Sequence, residues 1–123
     1  MPPRVLLVDD ETDLVESLAM ALEGHCDVMT ARNGAEALEV ILRDPPDAIV
    51  LDLMMPVMSG EKLIAELGQR GIAIPVIVAS ASRNVEARCE ELGVQHCLQK
   101  PYRLQKLLDH LTSVTAGVSS SRS

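Results

Sequence analysis

Four short apolar runs in this chain each end in a residue able to handle a phosphate or a metal ion. Val5-Leu6-Leu7-Val8 leads into Asp9-Asp10, and Ala48-Ile49-Val50-Leu51 into Asp52. Val76-Ile77-Val78-Ala79 leads into Ser80, and His96-Cys97-Leu98-Gln99 into Lys100-Pro101. Runs of this length, mostly apolar throughout, fit parallel strands buried on both faces. Strands separated by helical stretches and short connections imply a parallel sheet with helices on both sides. If the four runs are neighbours, three carboxylates, a hydroxyl and an ammonium meet on one edge. That is the carboxyl edge, where open α/β sheets bind their ligands.

The stretches between the runs carry the helical period. Leu14, Leu18 and Leu22 recur at i, i+4 and i+8 with Val15 beside them, and Gly24 follows as a stop. Thr12 or Asp13 is the expected cap of this helix, Asp13 with Glu16 having capping-box spacing. Asp27-Val28-Met29-Thr30-Ala31 reads as a weaker strand at the sheet edge. Asn33 with Glu36 caps a second helix that shows Ala37, Leu38, Ile41 and Leu42 on one face, and Asp44-Pro45-Pro46 ends it. Leu63, Ile64 and Leu67 mark a third helix, Val85, Cys89 and Leu92 a fourth, and Leu104, Leu107, Leu108 and Leu111 a fifth. The pattern predicts a doubly wound (βα)5 fold, a three-layer α/β sandwich of flavodoxin-like type. Its parallel five-stranded sheet has the order 2-1-3-4-5. In that order the first, third, fourth and fifth strands are adjacent, so the four reactive ends meet.

Composition narrows the function classes. The chain has 123 residues, one ordinary domain, and 47% of them are hydrophobic. Residues 1–116 read as that domain. The small and polar residues 117–123 read as a flexible tail or the start of a linker. A net charge of −7 without a basic stripe argues against direct nucleic-acid binding. No run approaches membrane-spanning length and no secretory apolar segment precedes the first strand, so a cytoplasmic protein away from membranes is expected. Cys26, Cys89 and Cys97 are odd in number and lack CxxC spacing, which points to reduced, buried thiols. His25, His96 and His110 are distant in sequence and lack metal-ligand spacing, so they read as structural or surface residues.

The converging groups suggest a chemistry. Asp9, Asp10 and Asp52 would repel one another unless a cation intervened. Mg²⁺ suits such a site, because it takes hard oxygen ligands and pairs one or two carboxylates with a phosphate. Lys100 supplies a point charge for a phosphate oxygen, and Ser80 one hydrogen-bond donor. A Lys-Pro bond can be cis, which would aim the Lys100 side chain back into the pocket.

The motifs Val8-Asp9-Asp10, Asp52-Leu53-Met54-Met55-Pro56-Val57-Met58-Ser59-Gly60, Ser80-Ala81 and Lys100-Pro101, in this order, resemble the receiver domain of two-component response regulators. The likeness extends from about Arg4 to Thr115. It implies that Asp52 is the phosphoacceptor, charged by a histidine kinase or a histidine phosphotransfer protein. It implies Mg²⁺ as cofactor, held by Asp10 directly, by Asp9 mostly through water, by Asp52 and by the Met54 backbone carbonyl. Lys100 would pair with the phosphoryl group and Ser80 would move to bond it. Such a domain catalyses only its own phosphorylation and dephosphorylation. Its output to a downstream effector or dimer partner would use the fourth helix, fifth strand and fifth helix.

Two positions depart from the family pattern. An aromatic switch residue often stands three residues before the lysine, where this chain has Cys97, expected to stay buried. Met54 stands where a polar residue often tunes hydrolysis. The alternative within the fold is a pseudo-receiver, a scaffold that ignores phosphate, and the intact acidic residues, Ser80 and Lys100 argue against it. An aspartate-nucleophile phosphatase would want a second aspartate where Met54 stands. A flavodoxin would want a hydroxyl- and glycine-rich loop where Asp9-Asp10-Glu11 would repel phosphate.

Overall fold

In the computed structural model of the protein, residues 2–55 and 57–121 are described, with side chains through Ala116. Five β/α units follow one another. They are β1 (Arg4–Val8), α1 (Thr12–Leu22), β2 (Asp27–Ala31), α2 (Gly34–Arg43), β3 (Ala48–Leu51), α3 (Gly60–Gln69), β4 (Val76–Ser80), α4 (Val85–Leu92), β5 (His96–Gln99) and α5 (Leu104–Ser121). The strands form one parallel sheet in the order β2-β1-β3-β4-β5, as the alternation predicts.

The two-residue period of a strand divides the core. Val5 and Leu7 of β1, Val50 of β3 and Ile77 and Ala79 of β4 pack with Val15 and Leu22 of α1 and Leu107 and Leu111 of α5. The alternate residues Leu6, Val8, Ile49 and Leu51 pack on Ala37 and Ile41 of α2 and Leu63 and Leu67 of α3. Val78 faces Val85 and Cys89 of α4 together with Leu53. Each fully buried Leu, Ile or Val stabilises by about 1.5–3 kcal/mol relative to exposure, and such side chains, with smaller Ala and Cys among them, make up the core.

Helix ends follow local chemistry in most places. Asn33 Oδ1 accepts from Glu36 N at 2.9 Å, and Ser59 Oγ from Lys62 N at 3.2 Å. Gly93 ends α4 in the left-handed region with φ 73°. The start of α1 differs from expectation. Glu11 occupies the cap position without a side-chain cap bond, and neither Thr12 nor Asp13 caps. The Glu11 N–H is held instead by Asp9 Oδ1 at 3.0 Å, which ties the helix start to the sheet edge.

Two further expectations shift. Leu42 is 53% exposed and Leu14 37%, so the apolar stripes of α2 and α1 are narrower than their periodicity. Cys97 is half-buried rather than buried, while Cys26 and Cys89 are buried, and all three thiols are free. The backbone of α5 continues to Ser121. Arg122 and Ser123 at the expected tail, and Pro56 of the loop after Asp52, lie outside the described residues.

Candidate functional site

Backbone bonds that extend the sheet ladder by one residue fix the reactive positions. Asp9 N donates to Ala31 O at 3.1 Å, Asp52 N to Val8 O at 2.9 Å and Lys100 N to Ser80 O at 2.8 Å. Each side chain therefore leaves the rim from a position set by strand pairing, not by a free loop. Oxygen atoms of Asp9, Asp10 and Asp52 lie within 4.8 Å of one another. Asp9 and Asp52 are buried and Asp10 exposed, so the cluster opens to solvent on the Asp10 side.

Lys100 bridges the two buried carboxylates. Its Nζ lies 2.5 Å from Asp9 Oδ2 and 3.5 Å from Asp52 Oδ2. The Lys100-Pro101 bond is cis. Burial pushes the Asp52 carboxyl up from its ordinary range. The Met54 N–H, donating to Asp52 Oδ1 at 3.1 Å, and the Lys100 ammonium oppose this, while Asp9 reinforces it. Burial alone would lower Lys100, but its bond to Asp9 and the fields of Asp52, Asp9 and Glu11 carry it upward on balance. Lysine stays charged and the Asp52 carboxylate is held under electrostatic pressure that a second cation would relieve.

The other expected groups fall in place around this pair. Ser80 is fully buried at the end of β4, and its Oγ accepts from Ser82 N at 3.2 Å, which orders the turn into α4. Gly60 N donates to Leu53 O at 3.1 Å, closing the loop after Asp52 onto α3. A Cβ at Gly60 would lie 2.5 Å from Asp52 O and 2.8 Å from Leu53 Cα, so glycine is required by this close approach. Met54 extends its side chain to solvent, 67% exposed, leaving its backbone beside the Asp52 carboxylate. Three close carboxylates are hard oxygen donors with the charge that Mg²⁺ requires, so the residues fit that ion.

Three juxtapositions were not visible in the sequence pattern. Tyr102, placed after the Lys100-Pro101 bond, lines a small cavity with Asp9, Asp52, Ala79 and Lys100. Burial holds its phenol above the ordinary range. At the far end of β5, His96 meets His110 of α5, Nδ1 to Nδ1 at 2.8 Å, so these histidines are not independent surface residues. Cys97 sits beside Cys89, whose thiol is pushed up to about 12 by burial and then by the Cys97 contact. No helix among the described residues is long and apolar enough to cross a membrane.

Comparison with known proteins agrees with this geometry. Residues 5–112 match the family model of the response regulator receiver domain. The response regulator MprA of Mycolicibacterium vanbaalenii is 37% identical over 118 residues, covering 93% of this chain and 51% of MprA. The transcriptional regulatory protein PrrA of Mycobacterium tuberculosis is 41% identical over 109 residues, covering 86% of this chain and 47% of PrrA. The chain thus spans about half the length of the curated relatives it matches. Among solved structures, the receiver domain of the Francisella response regulator 1452 superposes with a TM-score of 0.87 at 30% identity, covering 94% of this chain and 98% of that one. The chemotaxis response regulator CheY4 of Vibrio cholerae gives a TM-score of 0.83 at 26% identity, covering 93% and 99%.

Proposed function

The chain belongs to the response-regulator receiver domain family, and on that premise we propose that it accepts a phosphoryl group on Asp52 and switches partner binding in response. The single observation that carries the reading is the Asp52 carboxylate beside Asp9, Asp10 and Lys100 on one sheet rim. The donor is the phosphohistidine of a histidine kinase or a phosphotransfer protein. An Asp52 oxygen attacks phosphorus, the P–N bond breaks, and the departing imidazole keeps the electron pair and takes up a proton. Asp9, Asp10, Asp52 and the Met54 carbonyl would hold Mg²⁺, which would supply positive charge against the group in transfer. Lys100 pairs with a phosphoryl oxygen and so leaves its carboxylate partners, while the Met54 N–H orients the acceptor.

The output follows from charge. Aspartyl phosphate adds about two negative charges and three acceptor oxygens beside Ser80. The Ser80 hydroxyl turns toward them and releases Ser82 N, which loosens the turn into α4. The face formed by α4, β5 and α5 then presents a changed surface to an effector or a second copy, as a shift between two existing states. This reading takes residues 1–116 as the switching unit and 117–123 as the start of a tail or linker. It takes the domain to be cytoplasmic, with no membrane or nucleic-acid contact of its own.

The test is labelling with a small acyl phosphate in Mg²⁺, followed by amide shifts with beryllofluoride. Stoichiometric labelling that Asp52→Ala abolishes is the expected result. Largest remote shifts should fall at 80–84 and along α4. Labelling that survives in Asp52→Ala would place the acceptor elsewhere, and its absence in the parent chain would leave the pseudo-receiver reading.

A further inference from the structure

The two histidines that sequence spacing kept apart form the second chemically organised site of the domain. His96 begins β5 and His110 lies on α5, and the connection through Lys100 and Pro101 folds them together. Their Nδ1 atoms are 2.8 Å apart and their rings meet edge to face, 5.1 Å between centroids and 89° between planes. At that distance only one Nδ1 can carry hydrogen, and it donates to the lone pair of the other. Two sp² nitrogens from different elements therefore face each other across a single shared proton. Both residues are half-buried, so the pair is reachable from solvent.

We propose that this pair is a chelating site for a borderline transition-metal dication such as Zn²⁺ or Ni²⁺, which replaces the shared proton. The balance is simple: one N–H proton leaves to solvent and two nitrogen-to-metal bonds form, with water in the remaining positions. Zinc binds imidazole nitrogen at about 2.0–2.1 Å in tetrahedral geometry, which sets its two nitrogens about 3.3 Å apart. To reach that geometry the pair opens by about half an ångström and both rings turn so that their lone pairs converge beside the N–N line rather than along it, a rearrangement open to two partly exposed rings. Burial, then the His96 ring, then Lys106 hold His110 below the ordinary histidine range, with Asp109 opposing. It is therefore neutral and ligand-ready at physiological pH. Mg²⁺ prefers oxygen and does not compete here, while the Asp9–Asp10–Asp52 cluster takes it.

Occupancy would tie β5 to α5 at the end of the sheet away from Asp52. The site stands on its own geometry and does not depend on phosphorylation. Its consequence for partner binding does rest on the output face proposed above.

The test is isothermal titration of the whole chain with Zn²⁺ in excess Mg²⁺, paired with long-range ¹H–¹⁵N spectra of the imidazoles. The expected result is one ion per chain, with both Nδ1 resonances moving to the metal-bound range. Affinity should fall at least tenfold in His96→Gln and in His110→Gln. The double variant Cys89→Ser/Cys97→Ser should retain the affinity, since the Cys89 thiol is held protonated. No binding by the parent chain, unmoved Nδ1 resonances at saturation, or a site lost with the cysteines instead would each overturn the proposal. The spectra are read on the parent chain, so an unstable variant does not obscure the outcome.

Discussion

Lys100 Nζ lies closer to Asp9, at 2.5 Å, than to Asp52, at 3.5 Å. The ammonium thus stands in for part of the charge that a metal ion would supply. Replacing it uncovers two buried carboxylates with no other cation beside them in the described site. Lys100→Met should lower the unfolding midpoint in chelator, and added Mg²⁺ should recover most of the loss. Removing a rival cation should also tighten Mg²⁺ binding at least threefold. Thermal melts across a Mg²⁺ series measure both, and an unchanged Mg²⁺ affinity would show that Lys100 and the metal do not share their carboxylates.

Asp52 presents the opposite case. Burial and Asp9 disfavour its charged form, with Lys100 and the Met54 N–H only partly compensating. Asp52→Asn keeps an oxygen for Met54 N and removes the charge. The variant should be more stable than the parent at neutral pH without Mg²⁺, by about 1 kcal/mol, and should gain less from Mg²⁺. Chemical denaturation at matched ionic strength decides it.

Gly60 tests how far Asp52 depends on the loop behind it. In Gly60→Ala the new methyl must displace the Asp52 carbonyl or the Leu53 backbone, 2.5 and 2.8 Å from its ideal place. Overpacking of this kind costs about 1–3 kcal/mol. Acyl-phosphate labelling should slow as well, because the strained carbonyl belongs to Asp52, the proposed acceptor. Normal stability with normal labelling would mean that the loop gives way freely.

His110 yields a pH dependence with a defined sign. Its folded value lies below the ordinary 6.5, held down by burial, His96 and Lys106 against Asp109. The unfolded chain therefore takes up a proton first as pH falls, and the folded state loses stability below about pH 6.5. The loss stops growing once pH passes below the folded value. His110→Gln should flatten this part of the profile, and metal-free denaturation curves from pH 7.5 to 5 report the difference, read against the ordinary value. A variant as pH-sensitive as the parent would move the effect to other groups.

Most of the fold was legible because local rules and tertiary packing agree along most of this chain. Asn33 three residues before Glu36 predicts a cap bond, and the bond forms. The apolar run ahead of Asp52 predicts a strand buried on both faces, and β3 is buried at every residue. The groups around Asp52 were legible for the same reason, since strand ends in one sheet must share an edge. What was missed depends on pairs of elements. Asp9 takes the Glu11 N–H and leaves Thr12 and Asp13 without a capping role, which no helix-start rule contains. Leu14 satisfies its helical period yet lies at a groove shared with Tyr102 and Leu104, partly exposed. Arg88 pairs with Glu61 from another helix, and His96 with His110 across a strand-to-helix connection. Period and spacing describe neighbours within a turn or a strand, and these contacts have neither.

The core of this domain is optically silent, because Tyr102 is its only Phe, Tyr or Trp. That one chromophore shares a cavity wall with Asp9, Asp52 and Lys100. Ultraviolet absorption and emission of the whole chain therefore come from a single phenol at the rim of the reaction site. Exchange of a proton, a metal ion or a phosphoryl group there alters the field across that ring and nothing else that emits. The protein carries an unlabelled fluorescent gauge of its own state, read without interference from the rest of the fold.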